Sequence, residues 1–228
     1  MKCKLEIGFL LFLISCQATL KDSLKPPAQC DTWKIENLAY ASQKASEDSM
    51  NEPIPQKKME YAKKGILWAN RCIHSFPDSA ACYYYRAVNT GLYYKVKGLG
   101  YQGGLKEIIA DCEKSVSLDP RFEAGGAYRV LGNIYLKVPS FALSKNSIVK
   151  DSERAKHYAR AALDVDSFDL ENRLLWAQVL LEEGKYEEAK TYFKSLQEDY
   201  AKIVNLTSHQ KENSEQIQEG LKRSEKRS

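Results

Sequence analysis

The chain has 228 residues, of which 43% are hydrophobic and 28% charged, with only 12 Gly and 7 Pro. That composition excludes a collagenous, low-complexity or wholly disordered chain. The net charge of +4 is too mild to point to nucleic acid, and a chain of this size folds without a metal or disulfide staple.

Lys2 and Lys4 open the sequence, followed by an apolar run from Ile7 to Ile14 broken only by Gly8. The run is about half the ~20 residues that a bilayer-spanning helix needs, and it fits the core of a signal peptide. It ends in Leu13-Ile14-Ser15-Cys16, which resembles a bacterial lipobox. The expectation is a lipoprotein signal over residues 1–15, with Cys16 acylated as the new first residue. Two or three acyl chains, at about 0.8 kcal/mol per buried methylene, make a firm anchor. An ordinary secretory signal cut near Ala18 is the alternative, and Glu6 is unusual for either. Residues 16–30, with Pro26-Pro27, read as an extended tether. The expected location is the bacterial cell envelope, lipid-anchored and facing the periplasm, at the outer membrane rather than the inner.

Export changes how the cysteines read. Cys30, Cys72, Cys82 and Cys112 remain, an even number in an oxidising compartment. Cys72 and Cys82 each lie five residues from Pro77. If Pro77 turns a helical hairpin, the two stand at equal height on facing helices. A Cys72–Cys82 disulfide and two separate buried thiols both fit this spacing. No Cys-x-x-Cys is present, so neither a redox dithiol nor a zinc ribbon is supported.

Apolar spacing is helical from residue 31 to 203 and predicts about eight helices. Ile35, Leu38, Ala39 and Ser42 share a face. So do Met59, Ala62, Ile66, Ala69 and Ile73. A third helix is capped near Asp78 or Ser79 and runs through Tyr94. A fourth carries Leu105, Ile108, Ile109, Cys112 and Val116 and stops at Asp119-Pro120. No segment shows strand alternation between hairpin turns. Residues 204–228 turn polar and read as a solvated last helix that frays, or a tail.

Internal repeats organise these helices. Tyr128-x-x-Leu131-Gly132-x-x-Tyr135 matches the first half of a tetratricopeptide repeat, and Ala155-x-x-x-Ala159-x-x-Ala162 matches the second. The next unit runs Trp176-Ala177-x-x-Leu180, Gly184-Lys185-Tyr186 and Ala189-x-x-x-Phe193. Small residues let paired helices approach, and large ones fill the groove between them. Phe76-Pro77-Asp78 and Leu118-Asp119-Pro120 close earlier, degenerate units. The expected fold is all-α, with antiparallel helical hairpins stacked as a right-handed tetratricopeptide-like superhelix of about four repeats. One unit carries an insertion, because Ala155 follows Tyr135 by 20 positions instead of about 9. It must emerge at a rim of the stack, and it carries Phe141 and Leu143.

Residues 122–193 carry a closer resemblance. The run Phe122-Glu123-Ala124-Gly125-Gly126-Ala127-Tyr128-Arg129-Val130-Leu131-Gly132, the loop with Pro139, Phe141, Leu143 and Ser144, and then Arg154-Ala155-x-x-Tyr158 resemble the T component, the tetratricopeptide lipoproteins associated with TRAP transporters. Gly91-Leu92-Tyr93 and Gly98 fit the same pattern, and the similarity spans about residues 76–195 plus the lipobox. Ser140 and Ala142 depart from it. The resemblance implies a periplasmic lipoprotein that contacts the solute-binding protein of a carboxylate transporter and assembles as a homotrimer. A general envelope scaffold for protein assembly is the other reading.

Chemistry is sparse. His74, His157 and His209 have no ligand-spaced partners, and no nucleophile elbow or Walker loop occurs. Gly98-x-Gly100-x-x-Gly103 has dinucleotide spacing but no preceding strand. The expectation is a binding protein, not an enzyme, with no cofactor, no metal and no nucleic acid. In tetratricopeptide stacks the first helix of each pair lines the groove. Arg129 and Asn133, one turn apart, would meet a carboxylate there, with Arg86 and Asn89 on the preceding unit and Gln178 on the last.

Overall fold

The computed structural model describes residues 35–142 and 144–226. The signal, Cys16, the tether, Cys30 and Leu143 lie outside the described residues. The described chain forms α1 (Ile35–Asn51), α2 (Pro55–Ser75), α3 (Ala80–Lys97), α4 (Tyr101–Leu118), α5 (Gly126–Lys137), α6 (Ser152–Val165), α7 (Leu170–Glu182), α8 (Tyr186–Ala201) and α9 (Ser208–Glu225). A 3-10 turn at Phe122–Ala124 precedes α5. Consecutive helices pack antiparallel as four hairpins, α1–α2, α3–α4, α5–α6 and α7–α8, with α9 following. The expected all-α stack of helical hairpins is present.

The first helices of the hairpins also touch one another, α1 to α3, α3 to α5, α5 to α7 and α7 to α9, and α9 returns to α1. These five make the inner layer. The stops follow from local chemistry. Gly98 and Gly100 take φ of 70° and 74°, which turns the chain between α3 and α4 without side-chain strain. Asp151 and Asp169 cap α6 and α7 by accepting backbone N–H groups, and Thr207 with Gln210 forms a capping box on α9.

Close approach uses the small residues. A Cβ at Gly132 would lie 2.8 Å from Leu175 Cδ2 and 3.5 Å from backbone of α6, so α5, α6 and α7 meet where only hydrogen fits. Around it Leu131, Tyr135, Ala155, Ala159, Leu175 and Val179 form one core. A second joins α7, α8 and α9 through Leu180, Phe193, Leu196, Tyr200, Ile217 and Leu221. A third, at the first hairpins, holds Leu38, Tyr85, Cys72 and Cys82. The last two are bonded, with Cα atoms 5.4 Å apart, and so staple α2 to α3. Cys112 is a free thiol buried in the central core, and burial pushes its pKa up.

One segment differs from the sequence reading. Residues 204–225 do not form a solvated helix throughout: Asn213, Ile217, Gly220, Leu221 and Ser224 are buried. Gly220 sits against the Phe193 ring, where a Cβ would meet Cζ at 2.3 Å. The insertion after α5 closes on itself through Lys150 N to Pro139 O and Asp151 N to Tyr135 O. Gln102 of α4 exchanges two hydrogen bonds with the Ile148 backbone. Val138 and Ile148 pack back on the core, while Phe141 is 64% exposed at the rim.

Candidate functional site

The residues expected to line a ligand groove divide into two groups. Arg86 extends its guanidinium to the second-helix layer. Its Nε and Nη2 donate to the Asp111 carboxylate of α4 at 2.7 and 2.6 Å, and Nη1 donates to Asn70 of α2 at 3.0 Å. Asp111 is buried, so this bidentate pair joins α2, α3 and α4. Asn89 is fully buried. Its Nδ2 donates to Ser42 O at 3.0 Å and to Tyr85 O at 2.8 Å, while Ser42 Oγ donates to Gly65 O. Its Oδ1 has no partner and occupies the space above Gly65.

Arg129 is turned toward the start of α7. Nη1 donates to Ala124 O at 3.1 Å and to Asn172 Oδ1 at 3.0 Å. Asp169 and Glu171 stand at 3.5 and 3.4 Å from the guanidinium. Asn172, fully buried, donates in turn to the carbonyls of Ala124, Ala162 and Asp166. The knot fixes an unusual backbone, since Glu123 and Ala124 take φ of 51° and 53° before Gly125 at 81°. Tyr85 donates to Glu123 at 2.6 Å. Asn133 donates to the Arg129 carbonyl one turn back. Each of the four residues expected to form a carboxylate clamp, Arg86, Asn89, Arg129 and Asn133, already holds a partner within the protein. Arg86, Asn89 and Arg129 tie neighbouring helices together, while Asn133 bonds within α5.

Gln178 does face open space. It donates to Gln216 of α9 at 2.8 Å and borders a cleft of ≈ 500 Å³ between α5, α7, α8 and α9. Leu136, Leu181, Phe193 and Gly220 form its apolar floor, and Lys137, Gln178, Glu212, Gln216 and Arg223 its polar sides. Lys137 donates to Gln216 at 3.2 Å, and desolvation in this concavity holds its pKa below the usual lysine value. Lys95 of α3 pairs with Glu212 at 2.7 Å. At the other end His209 meets Glu171 at 3.0 Å. The hydrogen bond to Glu171 raises the His209 pKa against the opposing effect of burial. Thus α9 bonds to α3, α5 and α7 through polar side chains while its apolar stripe packs on α8. Sequence reasoning gave this helix as solvated and missed its packing, and Asn172 and Asp111 with it. The Thr207-x-x-Gln210 capping box and the Ile217/Leu221 spacing were the available signals.

Among the described residues, no group of three or more His, Cys, Asp or Glu side chains could hold a metal ion, and no helix is long and apolar enough to cross a membrane. No protein-family model matches the chain, and no curated protein matches it. Among solved structures it is similar to YrrB, described as a TPR protein with an unusual peptide-binding site. The identity is 21% and the TM-score 0.43, over 83% of this chain and 93% of that one.

Proposed function

We propose that this chain is an exported, lipid-anchored helical-repeat scaffold that binds a protein partner without catalysing a reaction. In its finer form the reading is an accessory subunit of a TRAP-type carboxylate transport system, contacting the solute-binding protein from the periplasmic side of the envelope. The observation that carries the export reading is the Cys72–Cys82 bond across the α2–α3 hairpin. Such a bond persists in oxidising compartments, and it accompanies Leu13-Ile14-Ser15-Cys16 in the sequence. The transporter reading rests on the resemblance over residues 122–193. The geometry favours a protein partner over a small organic acid, because the forks of Arg86 and Arg129 already hold the protein's own carboxylates and carbonyls.

Two measurements test it. Wild-type protein should incorporate palmitate and Cys16→Ala should not; equal labelling would refute the anchor. In cells, crosslinking of the full chain should capture a solute-binding protein encoded beside it. Capture of unrelated assembly factors instead would replace the transporter role with a general envelope scaffold.

A further inference from the structure

Because each hairpin is antiparallel, the turns that lead from one hairpin to the next share a rim with the start of α1. Among the described residues, that rim carries two strongly exposed apolar side chains, Phe168 at 87% in the α6–α7 turn and Val204 at 83% in the α8–α9 turn. The His209–Glu171 contact at 3.0 Å holds the starts of α7 and α9 together, so the two turns are neighbours. Phe168 is held outward. Its N–H and that of Asp169 donate to Asp166 Oδ1 at 2.8 and 3.2 Å, which fixes the turn. The same bonds, with Asp169 facing Arg129, engage the carboxylates that flank Phe168. Val204 stands above half-buried Ile203 and Leu206, which pack on the α7–α9 core. The turns therefore present apolar tips on a rigid base.

We propose that this rim dips Phe168 and Val204 into the interfacial layer of the membrane that carries the lipid on Cys16, an inference that rests on the lipoprotein reading. The chain itself selects the lipid surface as occupant. It joins the helical body at Ile35, on this rim, and 18 residues separate Cys16 from it. Fully extended, they reach about 65 Å at most. Once the acyl chains are inserted, contact of the rim with the bilayer is effectively intramolecular, so two apolar side chains suffice to orient the body. The opposite rim carries Leu99 and Phe141, also exposed, and supplies the control.

The test uses full-length acylated protein reconstituted alone into vesicles of phosphatidylethanolamine and phosphatidylglycerol. In a Cys30→Ser/Cys112→Ser background, single cysteines at Phe168→Cys, Val204→Cys, Leu99→Cys and Phe141→Cys carry an environment-sensitive fluorophore. Emission from 168 and 204 should shift to the blue and be quenched by nitroxide lipids, while 99 and 141 stay unshifted and unquenched. Equal, solvent-like emission at all four positions in protein that floats with the vesicles overturns the proposal, and so does quenching at 99 and 141 instead. A blue shift at 168 and 204 without lipid quenching overturns it in favour of a protein contact. Protein that carries no acyl chain and does not float removes the lipoprotein reading itself, and the orientation falls with it.

Discussion

Arg129→Ala separates a structural tie from a ligand clamp. The side chain is only 12% exposed, and its removal leaves Ala124 O and Asn172 Oδ1 without their cationic donor. Each charge-assisted bond contributes about 1.5 kcal/mol at the low end. The carboxylates of Asp169 and Glu171 are partly exposed, so their share is screened to about 0.5 kcal/mol together. The loss should be about 3.5 kcal/mol, and for a domain of this size that lowers the melting midpoint by about 7–14 °C. Arg129→Lys keeps the charge but one nitrogen must serve contacts that the fork divides, so about half of the loss remains. Urea unfolding and calorimetry of the two variants measure this. The Ala124–Asn172 knot should also open, seen as faster amide exchange at residues 123–126. A midpoint within about 0.5 kcal/mol of wild type, the range of an ordinary surface substitution, would refute the tie and return Arg129 to the groove.

Other outcomes follow from the same contacts. Cys72→Ser/Cys82→Ser removes a bond that closes a sequence separation of 10, and chain entropy puts the loss at about 2.7 kcal/mol; identical melts with and without reductant would show that the staple contributes nothing. Gly132→Leu, forced against Leu175 and α6, should cost about 1–3 kcal/mol through overpacking, read as a lower urea midpoint. Ala124→Gly relieves a left-handed φ of 53° and should leave stability unchanged or raise it by up to about 1 kcal/mol, whereas a clear loss in the thermal melt would show that its methyl packs. For the α7–α9 contact, the Glu171 hydrogen bond raises His209 above its ordinary 6.5. Burial alone would raise Glu171, but the His209 hydrogen bond and the Arg129 charge outweigh it and hold the carboxyl below 4.5. The His209 contribution is full below 6.5 and is lost as pH rises through its folded pKa. That of Glu171 is full above 4.5 and is lost as pH falls through its own. His209→Gln should therefore lose most, about 0.5–1 kcal/mol, between pH 4.5 and 6.5, and match wild type at alkaline pH; a pH-independent difference in denaturation midpoints would refute the pairing.

The helices and their turns were legible because local signals set them. Pro77 and Pro120 stop the chain, Gly98 and Gly100 reverse it, and alanines at fixed offsets mark where hairpins close. Pro77 also placed Cys72 and Cys82 at one height, which the bonded pair now shows. The roles of Arg86, Asn89 and Arg129 were not legible. Helical spacing puts Arg129 and Asn133 on one side of a helix, but it does not say which neighbour that side meets. Their partners lie far along the chain, Asp111 25 residues from Arg86 and Asn172 43 from Arg129. The packing of the last helix was hidden for a different reason. Its sequence is almost wholly polar, and Ile217 and Leu221 form a stripe only two residues long. Gly220 makes that stripe sufficient, because the backbone itself lies on the Phe193 ring.

The polar ties recur at successive junctions of the stack. Ser42, Gly65 and Asn89 lock α1, α2 and α3; Arg86, Asp111 and Asn70 lock α2, α3 and α4; Arg129, Ala124 and Asn172 lock α5 to α7. A buried polar group is costly unless it is satisfied, so each junction favours one register over a slipped one. The consequence for binding is direct. The inner positions that could carry free donors into a groove are committed to holding neighbouring hairpins together, and α9 lies against what remains. Its contact to α3, Lys95 with Glu212, is an exposed pair of the kind that contributes little. Its contacts to α8 are apolar and buried. Open space remains along the polar side of α9, in the cleft bordered by Gln178, Glu212 and Gln216.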